Sequence, residues 1–209
     1  MFNVCRGCGS YRVDKDVDAR TGEAVCPDCG HRHLFTMATL LLVGGASGGG
    51  KSAVCAHLMG QVREAVLLDG DILWGPHFAS RPGDFFETWL RVAKNVAPSG
   101  RPVALFGAGT GVPENLQRCP ERRYFDRLAY LALVCDDEVL AARLRARPAW
   151  MNCGGDAYVA DHVAFNRWFK EKGVGEGIEL VDTSAEPLER TAERVAAWIR
   201  RQAGGAHVS

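Results

Sequence analysis

The residues best suited to chemistry lie in one glycine-rich stretch, GASGGGKS, at positions 45–52. The stretch matches the pattern G-x-x-x-x-G-K-[S/T], follows the apolar run TLLLVG and opens a helical pattern. Glycine lets successive N–H groups point inward, and a helix N-terminus adds positive potential. The pattern therefore predicts a phosphate-binding loop. Its members are Gly45, Ser47, Gly48, Gly49, Gly50, Lys51 and Ser52.

Two side chains of this loop add what its backbone lacks. We expect Lys51 to reach the β- and γ-phosphates of a nucleotide as a positive charge, and the Ser52 hydroxyl to ligate Mg²⁺. A nucleotide and Mg²⁺ are therefore the expected ligands, although such a loop alone does not separate kinases from GTPases, motors or helicases. The alternative is a glycine-rich turn that binds nothing.

Two carboxylates follow the next apolar run, in AVLLDGD at 65–71. The carboxyl ends of parallel strands form the edge at which open α/β sheets bind ligands. We expect Asp69 to hold the hydrated Mg²⁺ and Asp71 to accept the proton of a phosphoryl-acceptor hydroxyl. A solvated Asp-Gly turn is the alternative interpretation.

Two arginines stand four residues apart in the helical stretch 137–147, so one face of the helix carries both. Guanidinium groups suit phosphate oxygens and stack on an adenine ring. We expect Arg143 and Arg147 to act on the transferring phosphate, with Arg143 also binding the nucleotide. Pro148 is expected to end the helix, and the segment 148–156, with its adjacent glycines, to form a lid. The alternative is an ordinary solvated helix face.

Four of the eight cysteines form two C-x-x-C pairs near the N-terminus. Their spacing predicts a structural zinc site, which a piece too small to fold by apolar burial alone requires. Its ligands are Cys5, Cys8, Cys26 and Cys29. Gly9 and Gly30 suit the tight turn after each pair. Four thiolates complete the shell, so we expect His31 and His33 at the surface. No chemical role is expected for Cys55, Cys119, Cys135 and Cys153.

Short apolar runs alternate with stretches of helical periodicity after residue 36. Such runs are typical of strands buried on both faces. Strands are predicted at 39–44, 65–69, 102–107, 128–134 and 177–181, and helices at 51–63, 84–97, 137–147, 158–172 and 187–202. This alternation predicts right-handed crossovers and a parallel sheet covered on both faces.

Composition and charge limit the partners. Near residue 36 the sequence changes from polar and turn-rich to alternating apolar runs and helical patterns. This change predicts a zinc ribbon over 1–36 and an α/β domain over 37–209. Basic and acidic residues number 25 each, and this balance disfavours a broad electrostatic grip on nucleic acid. No apolar segment approaches the roughly 20 residues needed to cross a bilayer, and no signal-peptide pattern begins the chain. We expect a cytoplasmic protein without a membrane partner.

The combination of GGASGGGKS, LLDGD and RLRARP is similar to the small P-loop kinases of the shikimate, gluconate, adenylylsulfate and nucleoside-monophosphate type. The resemblance covers residues 38 to about 202 in layout. It implies a three-layer α/β/α P-loop NTPase fold with a five-stranded parallel sheet, here preceded by a small zinc ribbon. It also implies ATP-dependent transfer of the γ-phosphoryl group to a hydroxyl or phosphate of a small molecule, such as a nucleoside or nucleotide.

The acceptor is expected between the segments 74–89 and 107–118. The candidate wall consists of Trp74, His77, Phe78, Phe85 and Phe86, and the candidate clamp for an anionic group of Arg81, Arg118, Arg122 and Arg123.

Two other functions stay open on the sequence. One is a polynucleotide 5′-hydroxyl kinase or RNA-modifying enzyme that grips nucleic acid with the ribbon and the arginines of 118–127. The other is a nucleotide-dependent switch whose ribbon contacts a protein partner. The chain has no N-K-x-D motif for guanine and no Walker B aspartate after the run 102–107, which disfavours the switch.

Overall fold

The computed structural model describes residues 2–204, which contain two β-sheets. The smaller sheet is antiparallel and consists of β1 (Asp16–Asp18), β2 (Glu23–Val25) and β3 (Arg32–Leu34). The larger sheet is parallel and consists of β4 (Leu40–Gly44), β5 (Val66–Asp69), β6 (Val103–Phe106), β7 (Leu128–Val134) and β8 (Ile178–Asp182). The helices of the described residues are α1 (Lys51–Leu58), α2 (Pro76–Ala79), α3 (Pro82–Val96), α4 (Pro113–Gln117), α5 (Asp137–Arg145), α6 (Asp156–Trp168) and α7 (Leu188–Gly204).

The parallel sheet has the order β5-β6-β4-β7-β8 and lies between two helical layers. Leu40 and Leu42 of β4 point to one face, where they join a core with Trp89 of α3. Leu41 and Val43 point to the other face, into a core with residues of α1 and α7. Because successive side chains of a strand alternate between faces, a continuous apolar run is what such a doubly covered strand requires.

The five predicted strands are observed, each within one residue at either end. The helix boundaries differ more. α1 ends at Leu58 instead of residue 63, since Gly60 takes a left-handed conformation at φ 81°. α5 ends at Arg145, so Arg147 lies just beyond the helix that was predicted to carry it. The predicted helix 158–172 consists of α6 followed by a π-helical turn at Phe169–Gly173.

The small sheet packs on the larger one through aromatic rings. Phe2 and Phe35 belong to the same hydrophobic cluster as Leu40 of β4, and the rings of Phe2 and Tyr124 are 5.1 Å apart. The Tyr124 hydroxyl is 3.1 Å from the carbonyl oxygens of both Val13 and Lys15. The two sheets therefore share apolar core and hydrogen bonds, while the division into two domains at residue 36 stays a prediction.

A buried ion pair lies at the same junction. The Lys94 ammonium pairs with Glu121, and its Nζ also donates to the Val13 carbonyl at 2.9 Å. It lies 4.0 Å from the centre of the Tyr124 ring. Removal of a buried lysine from water is costly, and these partners are the groups that compensate it.

No helix within residues 2–204 has both the length and the apolar character that crossing a membrane requires.

Candidate active site

The glycine-rich loop joins β4 to α1 at the carboxyl edge of the parallel sheet. Gly45 has φ 127°, and a Cβ there would lie 2.3 Å from the Leu133 carbonyl oxygen, so this position requires glycine. Gly50 caps the N-terminus of α1. The backbone amides of Gly48 and Gly50 donate to no other group within residues 2–204. These free donors at a helix N-terminus fit the oxygens of a phosphate.

Lys51 is buried and folds back over the loop. Its Nζ donates to the carbonyl oxygens of Gly45 and Ala46, both at 2.9 Å. Burial lowers the pKa of Lys51 to about 8, and the carboxylate of Asp71 opposes this shift. The loop therefore holds a largely desolvated cation whose present partners are neutral carbonyls.

Asp69 ends β5, and Asp71 lies in the turn that follows it. The Asp71 amide donates to Oδ1 of Asp69 at 3.0 Å, and Trp89 Nε1 donates to the Gly70 carbonyl at 3.2 Å, which fixes the turn between them. Burial raises the pKa of Asp71, while the ammonium of Lys51 works against that rise. The turn thus holds two carboxylates beside the Lys51 charge.

Three cavities surround the loop. The first, of about 320 Å³, is lined by Ser47, Gly48, Gly50, Lys51, Ser52, Ala53, Asp71, Arg143, Arg147 and Met151. The second, of about 240 Å³, lies beyond Gly48–Gly50 and is lined also by Ala53, Val54, Arg143, Thr183, Glu186, Leu188 and Thr191. We call these the phosphate cleft and the base cleft; these names, and that of the third cavity, stand for the roles that we propose for them. The third, of about 490 Å³, is the acceptor cavity, lined by Ser47, Lys51, Asp71, Trp74, Pro82, Phe85, Phe86, Gly107, Ala108, Gly109, Tyr158 and His162.

The two arginines occupy different places in this arrangement. Arg143 donates to the hydroxyl and the carbonyl of Thr183, at 2.9 and 2.7 Å, and lines both clefts. Arg147 donates to the Ser47 hydroxyl at 2.9 Å and lines the phosphate cleft. Two hydrogen bonds hold the Arg143 guanidinium in a fixed plane, whereas Arg147 reaches the loop from the segment after α5.

That segment, predicted as the lid, begins with a short 3₁₀ turn at Ala149–Met151. Trp150 is 79% exposed, and Asn152 takes a left-handed conformation at φ 51°. The backbone bends at Asn152 rather than through a left-handed glycine at 154 or 155, which have no positive φ. Lid motion itself stays a prediction.

His162 and Tyr158 of α6 belong to the site although the sequence reasoning did not single them out. The Ser47 amide donates to Nδ1 of His162 at 3.2 Å, and the two rings of Tyr158 and His162 are 4.3 Å apart. Burial, with the positive charge of Lys51, lowers the pKa of His162. The two residues are spaced by four, so one helix face presents both. That spacing was the available signal.

The predicted arginine clamp does not line this cavity, although Arg118 lines a neighbouring cavity of about 580 Å³ together with Glu87 and Glu114. Trp74, Phe85 and Phe86 line the cavity as expected, but His77 and Phe78 do not. No arginine is among the lining residues. The four candidates face other partners: Arg81 pairs with Asp84, Arg118 with Glu114, Arg122 with the Phe125 carbonyl and Arg123 with the Tyr124 hydroxyl. Each finds an oxygen within four residues along the chain, which a search for arginines near a motif does not take into account.

The four cysteines of the two C-x-x-C pairs come together. Their sulfur atoms all lie within 4.8 Å of one another, with Cys5 and Cys29 at 3.6 Å and Cys8 and Cys26 at 3.9 Å. Zinc–sulfur bonds of ~2.3 Å in a tetrahedron place the sulfurs about 3.8 Å apart. Gly9 and Gly30 take positive φ and donate to the Cys5 and Cys26 carbonyls at 2.9 Å. The residues fit a closed zinc site and leave no ligand position for His31 or His33.

Solved structures resemble this chain, while no protein-family model and no curated protein sequence matches it. A gluconokinase from Sinorhizobium meliloti 1021 has 20% identity and a TM-score of 0.55, covering 81% of this chain and 96% of its own. The tunicamycin resistance protein of Deinococcus radiodurans has 14% identity and a TM-score of 0.57, covering 78% and 95%. The Mycobacterium tuberculosis APS kinase CysC, in complex with AMPPNP and APS, has 18% identity and a TM-score of 0.51, covering 79% and 99%.

The chain has the fold of the P-loop kinases. The predicted fold class is confirmed: a five-stranded parallel sheet lies between helical layers, and a three-stranded antiparallel sheet with a four-cysteine cluster precedes it. Identities of 20% or less establish this fold alone, and the reaction is a matter for proposal.

Proposed function

We propose that the protein is an ATP-dependent kinase that transfers the γ-phosphoryl group to a hydroxyl or phosphate of a small molecule. One observation carries this proposal: the phosphate cleft and the acceptor cavity meet at Ser47, Lys51 and Asp71, which line both. A cation and a carboxylate at the point where two binding spaces join are what phosphoryl transfer needs, because that chemistry rests on positioning and charge.

The nucleotide occupies the two clefts beside the loop. The triphosphate lies on the free amides of Gly48 and Gly50 and replaces the carbonyl partners of Lys51. The base lies in the base cleft against the Arg143 guanidinium, whose plane Thr183 fixes. A planar cation of this kind stacks on a flat aromatic base. Arg147 lies over the phosphate cleft and supplies a second charge to the transferring group.

Mg²⁺ fits beside this cleft. Ser52, at the first turn of α1, lines the phosphate cleft, and Asp69 lies at the end of β5 with its Oδ1 toward the next turn. These oxygens would hold the ion through direct or water contacts. When bound, Mg²⁺ neutralises charge on the β- and γ-phosphate oxygens.

Asp71 activates the acceptor. The acceptor oxygen forms a bond to the γ-phosphorus while the bond from that phosphorus to the β–γ bridging oxygen breaks, which releases ADP. The hydroxyl proton passes to the Asp71 carboxylate and then to solvent, and a phosphate acceptor needs no such transfer. Desolvation makes the carboxylate a stronger base than a free aspartate, which favours this role.

An ATP-consumption screen tests the proposal. Nucleosides, nucleotides, sugar acids and oligonucleotides are offered in turn, with the Asp71→Asn variant as the blank for each. We expect acceptor-dependent ADP release with at least one small-molecule class, and for a hydroxyl acceptor a release that is at least ~10²-fold slower in the blank. Activity confined to oligonucleotides would instead favour the polynucleotide kinase, and nucleotide binding without transfer to any class would favour the switch.

The ribbon has a structural role in this proposal. Its four thiolates fill a zinc shell and leave no position for substrate. A protein contact through the ribbon and a cytoplasmic location stay predictions.

A further inference from the structure

We propose that the phosphoryl acceptor is an electrically neutral alcohol that carries a flat ring. This inference rests on the proposed kinase function and narrows its substrate. It follows from three properties of the acceptor cavity: its aromatic walls, its charge balance and the protonation of its one imidazole.

Aromatic rings form the outer wall of the cavity. The Trp74 and Phe85 rings meet edge to face, with centroids 5.2 Å apart and planes at 87°, and Phe85 meets Phe86 at 5.5 Å and 73°. Tyr158 faces the cavity from α6. Perpendicular rings present both faces and edges to the cavity. A planar ring of the acceptor packs on such surfaces better than a flexible aliphatic chain does. The cavity volume of about 490 Å³ suits a small ring-bearing molecule.

The charged groups of the cavity leave none for an anionic acceptor. Asp71 is the carboxylate of the lining, and Lys51 is its ammonium. Arg147 reaches the lining residue Ser47 at 2.9 Å from the phosphate cleft, where the proposed function assigns its charge to the transferring phosphate. Lys51 is held at the loop by the Gly45 and Ala46 carbonyls and faces the phosphates. A carboxylate or phosphate on the acceptor would thus lose water among aromatic rings and beside Asp71 without a cation of its own. Burial of an unpaired charge costs several kcal/mol, so this cavity selects against anions.

His162 supplies a neutral hydrogen-bond donor instead. Its Nδ1 accepts from the Ser47 amide, so in the neutral ring the proton is on Nε2. Burial and the positive charges of Lys51 and Arg147 lower the pKa of His162, against the opposing charge of Asp161, and this favours the neutral ring. A neutral N–H in a cavity that Asp71 also lines suits a hydroxyl or carbonyl oxygen of an uncharged acceptor.

Matched acceptor pairs that differ in charge test the inference. The pairs are 5-carbamoyluridine with 5-carboxyuridine, 3-(hydroxymethyl)benzamide with 3-(hydroxymethyl)benzoate, and 4-(hydroxymethyl)benzamide with 4-(hydroxymethyl)benzoate, so that both members keep the same hydroxyls; each is offered to the full chain with ATP and Mg²⁺. We expect kcat/KM for the neutral member of an accepted pair to exceed that of the anionic member at least tenfold. A tenfold ratio corresponds to about 1.4 kcal/mol, a small part of the cost of burying an unpaired anion.

A charge-adding variant sharpens the test. Trp74 is 53% exposed at the cavity rim, so Trp74→Arg adds a cation there without filling the core, and we expect it to reduce the neutral-to-anionic ratio. Val174→Arg, at a position 69% exposed outside the acceptor cavity, is the control and should leave the ratio unchanged.

Two results overturn the inference, and they are distinguishable. Preferred phosphorylation of the anionic members would show a kinase with a different acceptor, so the inference fails while the proposed function stands. Absence of transfer to both members of every pair and to every class in the ATP-consumption screen, with nucleotide still bound, would remove the proposed function and the inference together.

Discussion

Lys51 has a lowered pKa because the loop removes its ammonium from water. This has a consequence for nucleotide binding. Near neutral pH the group is charged, and in the proposed complex it binds phosphate directly. Above a pH of about 8 the free protein has lost that proton and must take it up again on binding, because phosphate oxygens favour the ammonium form.

We therefore predict that nucleotide affinity falls as the pH rises above about 8, by up to tenfold per pH unit, and that binding at pH 9 takes up a proton. Calorimetry in two buffers of different ionisation enthalpy measures this uptake. The Lys51→Arg variant keeps its charge and should show no uptake from this position. A pH-independent affinity in the natural chain would place the phosphates elsewhere.

Asp71 gives a second prediction at the scale of one residue. Asp71→Asn keeps the shape of the side chain and removes its basicity, so we expect kcat to fall by ~10²–10⁴ with unchanged nucleotide affinity and melting temperature. Steady-state kinetics and a thermal melt with nucleotide measure the three quantities. Asp84→Asn, at an exposed site on α3, is the control. Full activity in Asp71→Asn with a true acceptor would exclude the base role.

At the scale of elements, the segment after α5 brings Arg147 to the loop. We expect Arg147 to interact with the phosphates mainly in the transition state of phosphoryl transfer. Arg147→Ala should then lower kcat and kcat/KM by similar factors, on the order of 10². Arg145→Ala, whose side chain instead pairs with Asp156 at 3.1 Å, is the matched control. A rise of KM alone would make Arg147 a ground-state binding residue.

The ribbon gives a second prediction at this scale. We expect about one zinc per chain, because four sulfurs match one tetrahedral shell. The double variant Cys26→Ser, Cys29→Ser should lose the metal. Cys55→Ser, at a buried position of α1 outside the cluster, should retain it. Metal analysis by mass spectrometry decides the matter. A metal-free ribbon that keeps its native fold would contradict the structural role.

Strands were easier to predict than helix ends or the site. A run such as LAYLALV buries side chains on both faces of its strand, so the ends of the apolar run mark the ends of the strand. β7 begins and ends where predicted. The loop was equally readable because backbone geometry there requires glycine. His162 could not be predicted in the same way, because it lies 115 residues from Ser47 in the sequence and contacts it only in the folded chain. None of the four clamp arginines lines the acceptor cavity, because each has a partner close by along the chain.

At the scale of the whole molecule, the two sheets are joined by Tyr124, which is 2% exposed. Tyr124→Phe leaves the Val13 and Lys15 carbonyls without this partner, and we expect the free energy of unfolding to fall by about 1–3 kcal/mol. Denaturant unfolding measures it. Tyr11→Phe, at a position 67% exposed, should cost less. Equal stability of both variants would mean that the junction adds little to the fold.

The strand order also governs the sequence of events during synthesis. β4 lies between β6 and β7, so the strand that precedes the phosphate-binding loop cannot complete its pairing until the ribosome has released the chain through Val134. Until then the apolar residues of β4 lack their partner strands, and exposed apolar strands are prone to aggregate. The cysteine cluster needs only residues that emerge earlier. We therefore expect the cysteine cluster to bind its metal before β4 pairs, so that the ribbon folds before the parallel sheet is complete.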